Sequence, residues 1–208
     1  MIEAVIFDVD GVLLDSFDAN LKFFQNLMEK AGYPAPTRED FPSIFHFSMR
    51  DAIKVLTKSE SDEEIQRIWE MGKGRDVEYP LDLLKMPEGA TETIMELNKT
   101  YPLGIVTSRI RSSIYEAPAL ARLKRYFKTA VAYEDTTNHK PHPEPLLLAA
   151  QQLDILPERA VYIGDVENDI VAGKAAGMKV IIYSKNKYDS ADSNTSSFTM
   201  LPSIIKEL

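Results

Sequence analysis

No cysteine occurs among the 208 residues, which excludes a disulfide framework, a thiolate metal cluster and a cysteine nucleophile. A reducing, cytoplasmic setting is the expectation that follows. Histidine is nearly as scarce, and His46, His139 and His142 read more readily as surface or loop residues than as ligands, so the available donors permit a metal site of hard oxygens. No apolar run approaches the roughly 18 residues of a membrane span. Met1 to Phe7 passes straight into an apolar strand pattern with no basic leader segment, so an unexported protein without a membrane partner is expected. Positive charge is in deficit too. Lys and Arg number 24 against 32 Asp and Glu, a formal charge of −8, which disfavours broad electrostatic capture of nucleic acid.

What is present is ordinary globular composition, 44% hydrophobic and 27% charged, on a chain long enough for a core of roughly 100–150 residues with an insertion. Short apolar runs without alternation recur at Ala4 to Phe7, Leu103 to Val106, Ala160 to Ile163 and Val180 to Tyr183, the pattern of strands buried on both faces of a parallel sheet. Helical spacing falls between them at Gly89 to Lys99, Pro143 to Leu153 and Asp169 to Ala176. This alternation predicts an α/β core built on an open, Rossmann-like parallel sheet. The stretch from Ser16 to Lys85 breaks it, because helical spacing at Phe17 to Ala31, Met49 to Leu56 and Ser61 to Gly72 is not interrupted by a strand. We therefore expect a core of residues 1–15 and 86–208 and a helical domain of residues 16–85. Asn186 to Ser197 reads as a mobile surface loop, followed by a terminal helix from Leu201.

Four segments carry chemistry. Phe7-Asp8-Val9-Asp10-Gly11 places two acids just past a strand, and strand carboxyl ends face the ligand crevice in open α/β sheets. Thr107 and Ser108 end the second apolar run and could donate to a phosphate oxygen, or merely cap the next helix. Lys140 stands in Asn138-His139-Lys140-Pro141-His142-Pro143, a loop that prolines pin ahead of a helix. Gly164-Asp165-Val166-Glu167-Asn168-Asp169 ends another strand in an acid with a second four residues on, and Asp169 also suits the positive end of a helix dipole.

In this order the four segments resemble the haloacid dehalogenase superfamily of phosphohydrolases, whose pattern is D-x-D-G, then Thr or Ser, then Lys in a K-P-x-P loop, then G-D-x-x-x-D. The resemblance spans the chain and is weakest in the helical insertion. The 97 residues from Asp10 to Thr107 match the branch with a helical cap between the first two motifs, similar to phosphoglycolate phosphatases and β-phosphoglucomutases. It implies strand order 3-2-1-4-5, Asp8 as nucleophile, Asp10 as general acid and base, Thr107 and Lys140 as catalytic groups, and phosphate binding by Thr107, Ser108 and Lys140. It also implies Mg2+ held by Asp8, the backbone carbonyl of Asp10, Asp165 and, as a further candidate, Asp169.

Arg109 and Arg50 are further candidates for the substrate anion, and the basic trio Lys73, Arg75 and Lys85 stands behind them. The acid at Asp10 favours a phosphate ester over an organohalide, since dehalogenating members generally lack it. A magnesium-dependent phosphatase acting on a small phosphorylated metabolite through an aspartyl-phosphate is the expected function, as monomer or homodimer. The alternatives are a sugar-phosphate mutase and a ligand-sensing module without catalysis.

Overall fold

The protein is described by a computed structural model covering residues 1–74 and 76–208; Arg75, one of the basic candidates, lies outside the described residues. Strand β1 (Ala4–Phe7) is buried at every position, as four consecutive apolar residues require of a central parallel strand. It pairs in parallel with β2 (Leu103–Val106) and with β4 (Ala160–Gly164). Beyond them lie β3 (Phe127–Val131), β5 (Lys179–Tyr183) and β6 (Ser193–Thr195). Among the described residues the sheet has six strands in the order β3-β2-β1-β4-β5-β6, with every neighbouring pair parallel. The expected order 3-2-1-4-5 is met, with β6 added at the edge.

That added strand corrects the reading of Asn186 to Ser197 as a mobile loop. Ser193 to Thr195 pair with Ile181 to Tyr183, although Ser, Asn and Thr carry no apolar signal. β3 was also unanticipated, because its Phe127-Lys128-Thr129-Ala130-Val131 alternates between buried and more exposed positions instead of forming an apolar run.

Contacts divide the chain into two compact units, Met1–Asp15 with Met86–Leu208, and Ser16–Lys85. In the first, helices α4 (Glu144–Leu153) and α5 (Glu167–Ala175) share a buried cluster with Ala4, Ile6 and Tyr162. Phe7 points the other way, stacking on Phe198 at 6.5 Å and meeting Phe127 edge-on at 6.2 Å. The second unit contains α1 (Phe17–Ala31), α2 (Met49–Thr57) and α3 (Asp62–Lys73). Ser48 and Ser61 cap α2 and α3 by accepting the Asp51 and Glu64 amides, which satisfies donors a helix start leaves unpaired. Phe24, Leu27, Phe41, Ile53 and Ile68 are buried at its centre. Among the described residues no helix is long and apolar enough to cross a membrane.

Register brings the strand ends level. Phe7 lies opposite Ile105 of β2 on one side and Ile163 of β4 on the other, so the residues after all three strands emerge together.

At the far edge, Asp192 ties the approach to β6 onto β5. Its carboxylate accepts from Lys174, from Lys179 Nζ at 3.0 Å and from the Val180 amide at 2.9 Å. Burial pushes the Asp192 carboxyl up, and Lys174, the Val180 amide and Lys179 more than reverse this, leaving it at about 2. Because the folded value lies below the unfolded one, the stabilisation is complete above about pH 4 and is lost as pH falls through about 2. Asp192→Asn should cost about 1 kcal/mol at neutral pH after solvent screening. Urea unfolding of both proteins should show that gap narrowing between about pH 4 and pH 2.

Candidate active site

The turn after β1 is built to expose one carboxylate and shelter its neighbours. Asp8 continues the ladder, its amide donating to the Ile163 carbonyl at 2.9 Å, while its Oδ1 accepts the Val9 amide at 2.7 Å. The chain then reverses at Gly11, whose φ of +77° suits a residue without Cβ. Space imposes the same choice, since a Cβ there would lie 2.0 Å from Asp165 Oδ2. After β4 the constraint repeats: a Cβ on Gly164 would fall 2.3 Å from the Cβ of Asp169. Both glycines let acids from different strands crowd into one corner.

In that corner Asp8, Asp165 and Asp169 each offer a carboxylate oxygen, all within 4.8 Å of one another. Lys140 is the cation bonded into the group. Its Nζ donates to Asp8 Oδ2 at 2.8 Å, Asp169 Oδ1 at 2.8 Å and the Tyr162 hydroxyl at 2.9 Å, which uses all three ammonium protons. The Tyr162 hydroxyl in turn donates to Asp169 Oδ1 at 3.0 Å. The other Asp169 oxygen accepts the Asp165 and Val166 amides at 2.9 and 3.3 Å. With two donors on each oxygen, the fully buried Asp169 fixes Lys140 and the Asp165 backbone in place.

The electrostatics follow from this crowding. Burial pushes the Asp8 carboxyl up to about 7, opposed by Lys140 and assisted by the charges of Asp169 and Asp10. Asp165 is raised well above the carboxylate range, first by burial and then by Asp169 and Asp8. Asp169 moves the other way: burial would raise it, but Lys140 and the surrounding donors hold it below its ordinary value. Lys140 is raised well above the lysine range, since Asp169 and Asp8 outweigh its own desolvation. Two adjacent carboxyls that resist ionisation, offering oxygen alone, are what a hard divalent cation would reverse. The donor set therefore fits magnesium.

The remaining motif residues gather around this corner. Thr107 is buried, and its amide donates to the Val131 carbonyl at 3.0 Å. Its hydroxyl accepts the Arg109 amide at 3.2 Å, leaving its proton to offer elsewhere. Thr107, Ser108, Tyr133, Thr136, His139 and Lys140 line a small, open cleft. The Thr136 hydroxyl oxygen there is buried without a hydrogen-bond partner. Asp10, half-buried, is gripped by Arg109, with Nε on Oδ2 at 2.8 Å and Nη2 on Oδ1 at 2.7 Å.

Other candidates have different surroundings. Arg50 bonds Gln66 at 2.6 Å and Asp62 at 3.3 Å within the helical unit, and Lys73 sits 4.6 Å over the Trp69 ring. His139 stacks on Tyr133 at 3.9 Å, while His142 accepts the Glu144 amide at 3.2 Å. Tyr162 is the residue that sequence reasoning passed over. Its only signal is a hydroxyl-bearing side chain in the otherwise aliphatic run Ala160-Val161-Tyr162-Ile163, and a buried Tyr needs a partner for that hydroxyl.

Comparison with known proteins agrees with the motif order. The family model described as haloacid dehalogenase-like hydrolase matches residues 5–183. A curated relative named pyrophosphatase PpaX, from Bacillus cereus (strain Q1), is 32% identical over 179 residues, covering 86% of this chain and 81% of its own. The crystal structure of a haloacid dehalogenase-superfamily hydrolase of subfamily IA from Geobacter sulfurreducens PCA is similar at 30% identity and a TM-score of 0.73, covering 98% of this chain and 96% of that one. A β-phosphoglucomutase from Clostridium difficile shares the fold, with a TM-score of 0.79 at 20% identity over 100% of this chain and 98% of its own.

Two substitutions test the geometry. Tyr162→Phe removes a buried hydroxyl that joins Lys140 to Asp169 and should cost about 1–2 kcal/mol in denaturant unfolding. Gly11→Ala should displace the Asp165 carboxylate and weaken magnesium binding, read by titration calorimetry, by about 10-fold or more. Unchanged magnesium affinity would contradict the placement of Asp165.

Proposed function

The chain belongs to the haloacid dehalogenase-like hydrolases, and on that premise we propose that it is a magnesium-dependent phosphatase that hydrolyses a small phosphorylated metabolite through an aspartyl-phosphate. The observation that carries this reading is the contact of Lys140 Nζ with Asp8 Oδ2 at 2.8 Å, beside the acidic corner. It sets a fixed positive charge against the one carboxylate that two other acids crowd. The division into a catalytic core, residues 1–15 with 86–208, and a cap, residues 16–85, belongs to the same proposal.

Asp8, Asp165 and the backbone carbonyl of Asp10 would hold the metal, with Asp169 supporting them through Lys140 and the Asp165 amide. Bound magnesium would supply positive charge that offsets the mutual repulsion of a carboxylate and a phosphate dianion.

In the first half-reaction an Asp8 oxygen forms a bond to phosphorus while the bond from phosphorus to the ester oxygen breaks. That oxygen keeps the bonding pair and takes a proton from Asp10. In the second, Asp10 accepts a proton from water as the water oxygen bonds to phosphorus, and the bond to Asp8 breaks to release phosphate and restore the carboxylate. The loose transition state spreads charge over the equatorial oxygens. Lys140 offers its charge beside Asp8, and the Thr107 and Ser108 hydroxyls and the loop amides offer hydrogen bonds. The relative named a pyrophosphatase supports phosphoryl chemistry of this kind.

Purified protein should release inorganic phosphate from at least one member of a panel of small phosphate esters and anhydrides, with release dependent on magnesium. Asp8→Asn should abolish it, and Lys140→Ala should lower kcat by about 10²–10³. No metal-dependent release from any compound would overturn the proposal. A phosphoenzyme that discharges only on addition of a sugar monophosphate would replace it with a mutase.

A further inference from the structure

We propose that Tyr162 is a positioning residue for phosphoryl transfer: its hydroxyl divides the Lys140 ammonium between Asp169 and Asp8, and so keeps a positive charge on the carboxylate that receives the phosphoryl group. The inference rests on the phosphatase reading above and adds to it a residue that acts through Lys140.

Geometry fixes the ammonium in every direction. Its own Cε and three acceptors, Asp8 Oδ2 at 2.8 Å, Asp169 Oδ1 at 2.8 Å and the Tyr162 hydroxyl at 2.9 Å, account for the four positions around a tetrahedral nitrogen. Two of the acceptors are acids competing for one cation. Asp169 is the more enclosed, its side chain 1% exposed against 10% for Asp8, and a less screened charge attracts more strongly. Left to these two, the ammonium would favour Asp169.

Tyr162 acts on both sides of that competition. It accepts one ammonium proton, and it donates to the same Asp169 oxygen that Lys140 contacts, at 3.0 Å. A hydroxyl that accepts from a cation is itself a stronger donor, so Asp169 is satisfied in part without Lys140. Removing the hydroxyl strands one N–H of an ammonium that is 9% exposed, and an unpaired donor is costly at that depth. The ammonium recovers a bond by closing onto Asp169 at the expense of Asp8. Attack by Asp8 on a phosphate dianion brings two anions together, so a cation drawn away from Asp8 slows the forming of that bond.

Neither packing nor the course of the loop requires this hydroxyl. Tyr162 is fully buried among Ala4, Ile6, Leu146 and Ala149, where a phenylalanine ring would fill the same space. The loop that carries Lys140 is held by other groups. Glu144 accepts the Thr137 and Asn138 amides, both at 3.0 Å, and Asn138 Nδ2 at 2.7 Å, and His139 stacks on Tyr133. Loss of the hydroxyl therefore shifts the charge and leaves the loop in place.

A double-mutant cycle separates this role from a structural one. Phosphate release is measured with the full chain and magnesium from pyrophosphate, phosphoglycolate and p-nitrophenyl phosphate, in wild-type, Tyr162→Phe, Lys140→Ala and doubly substituted proteins. Enzyme is kept in excess so that slow variants stay measurable. Tyr162→Phe should lower the maximal single-turnover rate about 10-fold and shift the half-saturating concentration by no more than about threefold. In the Lys140→Ala background the same substitution should change the rate by no more than about twofold, because the residue it acts through is gone. Equal losses in both backgrounds assign the effect to Asp169 or to packing and overturn the proposal. An unchanged rate in Tyr162→Phe overturns it as well. Should Tyr162→Phe fail to fold, 4-fluorophenylalanine at position 162, which has fluorine in place of the hydroxyl and no proton to donate, is read by the same two comparisons. Absence of release from all three compounds by wild-type protein removes the phosphatase reading for these probes and this inference with it, whereas release with equal losses removes this inference alone.

Discussion

The Lys140 ammonium is the contact on which the site depends, because it is the only point where the K-P loop, the turn after β1 and the helix after β4 meet through charge among the described residues. Acids from two strands would otherwise repel one another in a corner that water scarcely reaches. With Lys140 present, Asp169 is held ionised and Asp8 has one oxygen anchored. Tyr162 completes the arrangement by accepting from Lys140 and donating to Asp169, so a hydroxyl from within the sheet secures a cation at its edge. The glycines at 11 and 164 are the backbone counterpart of the same demand, since any side chain at either position would push these acids apart.

The sheet makes that contact reachable across the sequence. Asp8 and Lys140 are 132 residues apart, and Asp10 and Arg109 are 99 apart. Parallel pairing sets the ends of β1, β2 and β4 level, and each loop that follows opens on the same edge. Most of the polar groups of the site then lie just past the strand ends, in the loops and in the first turn of the helix after β4, and Tyr162 joins them from within β4.

What could be read from the sequence divides along physical lines. β1, β2, β4 and β5 were legible because a strand buried on both faces must be apolar throughout. β3 was hidden by Lys128 and Thr129 at its middle, where alternate positions are less enclosed. β6 was hidden because a three-residue edge of Ser, Asn and Thr satisfies its backbone without hydrophobic burial. The acids, Thr107 and Lys140 were legible as polar residues abruptly ending apolar runs or pinned by prolines. Tyr162 was not, since its hydroxyl is useful only once Lys140 arrives from another loop. The fork between Arg109 and Asp10 was equally closed to sequence reasoning: each residue was a candidate alone, and nothing local announces that they face each other.

The two outermost strands also bear on how the protein behaves in a crowded solution. An open sheet ends in two rows of backbone groups that can recruit a strand from another molecule. Here one border, β6, is three polar residues long, and the other, β3, carries the exposed Lys128 at its second position. A passing chain finds too short a template on one side and a charge on the other. The features that concealed these strands from the sequence are therefore the ones that guard the sheet against aggregation.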